Sequence, residues 1–152
     1  MILHRNLRLA LTTAAISCCS WAESGKVMGY RLGDPIDLSK PPVEVISISK
    51  ETTTVRVGSA YFTCKDLKIL EADAKEVNCG EWTITIHDDQ ASVAQKLGSA
   101  DLSHHDALMD LPGEVEYSYF RSFQLSVVFF RHTVCKLQLM GETEWQEVYG
   151  NR

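Results

Sequence analysis

The chain has 152 residues, 45% of them hydrophobic, with 15 Lys and Arg against 20 Asp and Glu. That length supports one domain with one core. The acidic balance excludes the basic face that nucleic acid or an anionic membrane surface demands.

Arg5 and Arg8 give a positive start, and Leu9 through Ile16 form a short apolar run. Ser20-Trp21-Ala22 then puts small residues at the two positions a signal peptidase reads. This is the anatomy of a secretory signal peptide over 1–22. The run is too short to cross a bilayer, which takes roughly twenty residues, so no transmembrane span is expected. Ala15-Ile16-Ser17-Cys18 also loosely matches the box before the lipidated cysteine of bacterial lipoproteins, which admits a lipid anchor at Cys18. The expected location is therefore the periplasm, with an outer-membrane lipoprotein or an extracellular protein as alternatives. Removing Arg5 and Arg8 leaves 13 basic residues against 20 acidic ones, a net −7, which suits a basic protein partner.

In an oxidising compartment two of the three remaining cysteines should pair. Cys64 and Cys79 are the better couple, each beside a strand-like run. Cys135 alternates with Leu137 and Leu139, which predicts a buried, unpaired thiol.

Residues 23–42 read as an extended lead-in, punctuated by Gly29, Gly33 and Asp34-Pro35 and closed by Pro41-Pro42. A single domain follows over 43–152. Val43 to Ser49 reads as a strand, although Val43 and Val45 alternate one residue out of step with Ile46 and Ile48. Thr52 to Val57 is almost wholly β-branched, so Lys50-Glu51 joins a hairpin. Tyr61 to Cys64 starts another extended piece, and Lys65 to Val77 fits either a strand or a short helix. Trp82 to His87 alternates cleanly as a half-buried strand. Asp88 or Asp89 then offers an N-cap, Val93, Ala94 and Leu97 follow at helical spacing, and Gly98 stops the helix.

Ser99 to Gly113 reads as a polar loop. Val115, Tyr117 and Tyr119 alternate as a strand, and the run from Phe123 to Phe130 is apolar on both faces, as in a covered central strand. Thr133 to Met140 is the next strand, and Trp145 to Tyr149 reads as an edge. The expected fold is α+β: an antiparallel sheet of five to seven strands with one or two helices on one face.

The segment from Ala91 to Met140, about a third of the chain, resembles a bacterial envelope pattern. A helix ends in Leu97-Gly98-Ser99-Ala100-Asp101. A Tyr-x-Tyr strand follows at Tyr117 and Tyr119, then an apolar strand with Phe129, then Val134-x-x-Leu137. The small outer-membrane assembly lipoproteins, and inhibitors with a similar two-layer module, look like this. The resemblance implies helices on an antiparallel sheet and a protein-binding role. The chain departs from the pattern where Ala100 stands near a usual proline, and where Asp88-Asp89-Gln90 lacks the glycine that opens the helix.

Candidate chemistry is sparse. Asp101, His104 and His105 have the ligand types for zinc or copper, but adjacent histidines point apart in regular structure. No Gly-x-Ser-x-Gly elbow is present, and a strand would turn His132 and Cys135 to opposite faces. No catalytic residue and no cofactor is assigned. Tyr, Trp and Arg dominate protein interface hot spots, so Tyr117, Tyr119, Arg121 and Trp145 form the candidate interface; the same aromatics could instead cover a sheet face. The reading is an exported, non-catalytic protein-binding domain, of inhibitor or immunity type. The alternatives are a lipid-anchored envelope assembly factor, and a periplasmic metal-binding protein or enzyme.

Overall fold

A computed structural model describes residues 24–108 and 111–150. The leader, with Cys18 and the cleavage site after Ala22, lies outside the described residues. The β-branched run forms β2 (Thr53–Val57), which pairs antiparallel with β1 (Val43–Ile48) through the expected Lys50-Glu51 connection. The phase slip in β1 is a β-bulge. Val45 opposes Val55 but Ser47 opposes Thr54, so Ile46 is the extra residue.

The chain continues through β3 (Ala60–Lys65) and β4 (Lys68–Ala74), which resolves the ambiguous stretch after Lys65 as a strand. A separate hairpin, β5 (Glu76–Cys79) and β6 (Trp82–Thr85), leads into α1 (Gln90–Leu97). Asp89 caps that helix by accepting from the Ser92 amide at 2.6 Å, and Gly98 ends it at φ 78°. Then come β7 (Leu102–Leu108), β8 (Leu111–Phe120), β9 (Leu125–Phe130) and β10 (Thr133–Leu139). Last are α2 (Glu142–Trp145) and a π-helical turn, Gln146–Gly150.

Among the described residues the main sheet has eight strands, in the order β1-β2-β3-β4-β10-β9-β8-β7, all antiparallel. Two four-stranded meanders thus join where Leu137 and Leu139 of β10 oppose Ala74 and Ala72 of β4. The α+β class and the antiparallel sheet hold. The strand number is larger than the expected five to seven, because β7 occupies the stretch expected to be a loop. There Leu102, His104 and Asp106 are half-buried and Ser103 and His105 exposed. That alternation belongs to an edge strand, whose polar residues need no burial.

One sheet face carries the main core. Val55, Phe62, Leu125, Val127 and Leu137 are fully buried there. The face is closed by α1 through Val93, by the small hairpin through Val77 and Ile84, and by Val27 and Ile36. The last two belong to the stretch expected as a mere lead-in, which is pinned by backbone bridges from Lys26 to Asn78 and from Pro35 to Lys68. Gly25 fits because its amide bonds to the Phe123 carbonyl at 3.0 Å, where an added Cβ would meet that oxygen at 2.6 Å.

Among the described residues, the second face is covered only over the C-terminal meander. There α2 and the π-helical turn bring Trp145 and Tyr149 onto Val115, Tyr117, Tyr119, Val128 and Met140. Each face therefore carries one helix, which corrects the expectation of helices on one face. Trp145 to Tyr149 is helical and not an edge strand. Residues four apart share a side under either period, so the spacing of the two aromatics could not decide between them.

Cys135 is also corrected. Val134 opposes Phe129 and Lys136 opposes Val128, so Cys135 is a bulge residue. It is exposed, and its Sγ donates to the Val128 carbonyl at 3.4 Å.

Trp145 is the largest fully buried side chain. Trp145→Ala should cost about 3–5 kcal/mol in urea unfolding, whereas Glu147→Ala on the exposed side should stay within about 0.5 kcal/mol.

Candidate interaction surface

Strand alternation and register set the open half of the second face. Glu44, Arg56, Tyr61 and Asp73 oppose one another in turn across β1, β2, β3 and β4, and Gln138 continues the row into β10. Glu71 lies on the same face opposite Thr63. No helix of the described residues lies over the β1–β4 part of this row, whereas Gln138 is buried under Tyr149 of the π-helical turn. Tyr61 is 43% exposed, and the Arg56 side chain is likewise 43% exposed. Arg56 Nε donates to the Glu44 carboxylate at 3.1 Å, a charge-assisted bond between neighbouring strands.

The rest of the row is acidic. Glu71, Asp73 and Glu144 of α2 lie close enough for the Glu71 carboxyl to be pushed up from 4.5, first by burial, then by the charges of Asp73 and Glu144. The nearby cation Lys136 reaches Asp73 only at 4.0 Å. An exposed tyrosine, a planar guanidinium and crowded carboxylates thus share one sheet face.

The border of this surface is the C-terminal helix. Arg121 grips Glu142 in the first turn of α2 with two hydrogen bonds, at 2.6 and 3.0 Å. These bonds hold the Glu142 carboxyl below its ordinary 4.5. Inside, Tyr119 donates to the Met140 carbonyl at 2.9 Å and Tyr149 donates to Gln138 Oε1 at 2.6 Å. Burial, with the nearby Glu142 and Glu144 charges, pushes the Tyr119 hydroxyl up to about 12, so it remains a donor at neutral pH.

Three of the four candidate interface residues lie inside the fold. Tyr117, Tyr119 and Trp145 are interior residues, 8%, 1% and 2% exposed, and only Arg121 is at the surface. The reading in which these aromatics cover a sheet face is the one realised. Arg56, Tyr61, Glu71 and Asp73 escaped the sequence reading. Their signal was the polar phase of β3 and β4, opposite Phe62, Cys64 and Ala72, which carry the core.

The candidate metal residues do not converge. Asp101 accepts from the Arg121 amide at 2.7 Å. His104 stacks on Tyr117, with centroids 6.3 Å apart, on the second face. His105 opposes Glu116, whose carboxylate turns to the other face to bond Gln90 of α1 at 2.6 Å. Among the described residues no group of three or more His, Cys, Asp or Glu is placed to hold a metal ion.

Cys64 and Cys79 sit buried in the same core cluster, and in the structure both are free thiols, without the expected bridge. Burial pushes the Cys79 thiol up to about 12 and raises Cys64 as well, which keeps both un-ionised. A polar chain from His132 through Gln90 to Glu116 and Ser118 ties α1 to the sheet. No helix of the described residues is long and apolar enough to cross a membrane. No protein-family model, curated protein or solved structure matches the chain.

Two predictions follow the charges. The depressed Glu142 carboxyl means that its pair with Arg121 stabilises the fold above about pH 4.5 and loses that contribution as pH falls through the lower folded value. Arg121→Ala should therefore lower stability at neutral pH and flatten the acid limb of a stability–pH curve. Glu71 has the opposite sign: its raised folded value makes the ionised form a liability that grows as pH rises. Glu71→Gln should stabilise by a few tenths of a kcal/mol at pH 7, roughly the scale of half-exposed charge effects. The gain should vanish in chemical denaturation well below pH 4.5.

Proposed function

We propose that this chain is an exported, non-catalytic protein-binding domain of the bacterial envelope, of inhibitor or immunity type, and that its partner presents a basic surface. The observation that carries this reading is the uncovered half of the second face. There Tyr61 and Arg56 stand exposed beside Glu44, Glu71, Asp73 and Glu144. Tyrosine and arginine supply contact area and planar hydrogen bonding at protein interfaces. The Glu71 carboxylate, disfavoured by burial and by the charges of Asp73 and Glu144, is relieved by a partner's lysine or arginine.

Export rests on the leader-like residues Arg5, Arg8, Leu9 through Ile16 and Ala22. The mature balance of −7 agrees with a cationic partner and favours rapid encounter. Lipid on Cys18 would make the same domain a membrane-tethered assembly factor, and intact-mass measurement separates the two forms.

The test is photo-crosslinking in living cells. The chain is exported by its own leader, with the crosslinking side chain at Tyr61 or, as control, at Tyr117. A discrete adduct from position 61, weakened by salt and by Asp73→Asn and absent from position 117, is the expected result. An unprocessed chain retained in the cytoplasm, or adducts from neither position, would refute the reading.

A further inference from the structure

On the first sheet face a cleft of about 170 Å³ opens between α1 and the strands β8 and β9. Val93, Phe120 and Phe129 of the main core form its apolar walls. Gln90, Glu116 and Ser118 also line it, and these three are bonded to one another. Ser118 Oγ donates to Glu116 Oε1 at 3.0 Å, and Gln90 Nε2 donates to Glu116 Oε2 at 2.6 Å. The half-buried carboxylate thus has one neutral donor on each oxygen. Among the described residues no Lys, Arg or His forms an ion pair with it, His105 opposite it on β7 included. A carboxylate removed from water beside apolar walls favours a cationic companion.

The chain of groups that holds Glu116 starts in a costly turn. Arg131 and His132 join β9 to β10 at φ 49° and 64°. A two-residue connection with two positive φ angles prefers Asn-Gly. His132 stands there instead, with its Nδ1 2.9 Å from Gln90 Oε1. Gln90 Nε2 is committed to Glu116, so Oε1 is the acceptor and His132 Nδ1 the donor. Local rules are broken in this way chiefly at functional sites.

We infer that the cleft binds a small primary alkylammonium compound, with its head on Glu116 and Ser118 and its chain against Val93, Phe120 and Phe129. A guanidinium seeks both carboxylate oxygens in parallel, but each already accepts a protein donor. An ammonium brings three donors on one compact charge, and the two carboxylate oxygens and Ser118 Oγ keep lone pairs for them. A metal ion needs several ligands, and Glu116 is the one carboxylate of the lining. The volume is below the roughly 300 Å³ at which pockets for larger ligands begin, so the alkyl chain has only a few carbons. The cleft lies on the face opposite Tyr61, and the inference does not rest on the proposed partner.

The experiment titrates n-butylammonium chloride into the isotope-labelled processed chain, purified after expression with its own leader, and follows the amide resonances. The expected result is saturable millimolar binding, with the largest shifts at Val93, Gly98, Ser118 and Phe129. Uncharged n-butanol should bind at least about tenfold more weakly. Glu116→Gln should cost at least about tenfold in affinity with unchanged circular dichroism. Ser118→Ala should cost less, and Asp73→Asn on the other face nothing. If Glu116→Gln fails to fold, the n-butanol comparison on the unaltered chain decides alone. Equal binding of n-butanol, affinity indifferent to Glu116→Gln, shifts centred on Glu71 and Asp73, or no saturation would each overturn the inference. Tighter binding of Nα-acetyl-lysine amide than of n-butylammonium would overturn it too, and would give the cleft to a partner's side chain.

Discussion

The pairing of β4 with β10 is the contact on which the architecture rests. Leu137 and Leu139 meet Ala74 and Ala72 across it. The small alanines let the two meanders close into one sheet without a ridge of side chains between them. Without this seam the chain would have two four-stranded sheets, each with two free edges. With it there is one sheet, one main core and two edges far apart.

That seam also creates the asymmetry of the second face. A sheet of eight strands has more area on each side than one short helix can cover. On the first face the deficit is met by three separate pieces: the N-terminal stretch around Val27 and Ile36, the small hairpin, and α1. On the second face, among the described residues, only α2 and its π-helical turn are available, and they cover the C-terminal meander. Their hold is specific. Trp145 lies 5.7 Å from Tyr119, Tyr149 stacks on Tyr117 at 4.6 Å, and Arg121 clamps Glu142 from outside. The N-terminal meander keeps its second face open, and so it carries polar and charged residues.

The bulges follow the same logic. Ile46 in β1, Leu70 in β4 and Cys135 in β10 each sit where the register shifts by one residue. Each inserts a side chain that alternation alone would send to the wrong face. An apolar residue at a bulge can thus reach solvent without breaking the core pattern on either side of it. Ile46 and Leu70 are both among the exposed large apolar residues. Eight of the ten such residues in the described chain lie between Met28 and Trp82, so the N-terminal half carries most of the unpartnered apolar surface.

Local pattern determined much of this by itself. β-Branching marked β2, alternation marked β6 and β8, and the doubly apolar run marked β9 as central. Asp89 and Gly98 bounded α1, because caps act through their own neighbouring amides and carbonyls. Those features depend on residues within one turn or one strand, so a linear reading can see them. What only the tertiary structure decided is which faces are covered and by what. Tyr117, Tyr119 and Trp145 read equally well as an exposed cluster or a buried one, because alternation assigns residues to a side of the sheet and not to solvent or core. The burial of the two tyrosines depends on a helix more than twenty residues further along the chain, and that of Trp145 on the sheet it returns to. The exposure of Tyr61 depends on the lack of such a cover over β1–β4 among the described residues. The physical reason is the same in both cases: local periodicity is written in the strand itself, but desolvation depends on whatever distant segment comes to rest upon it.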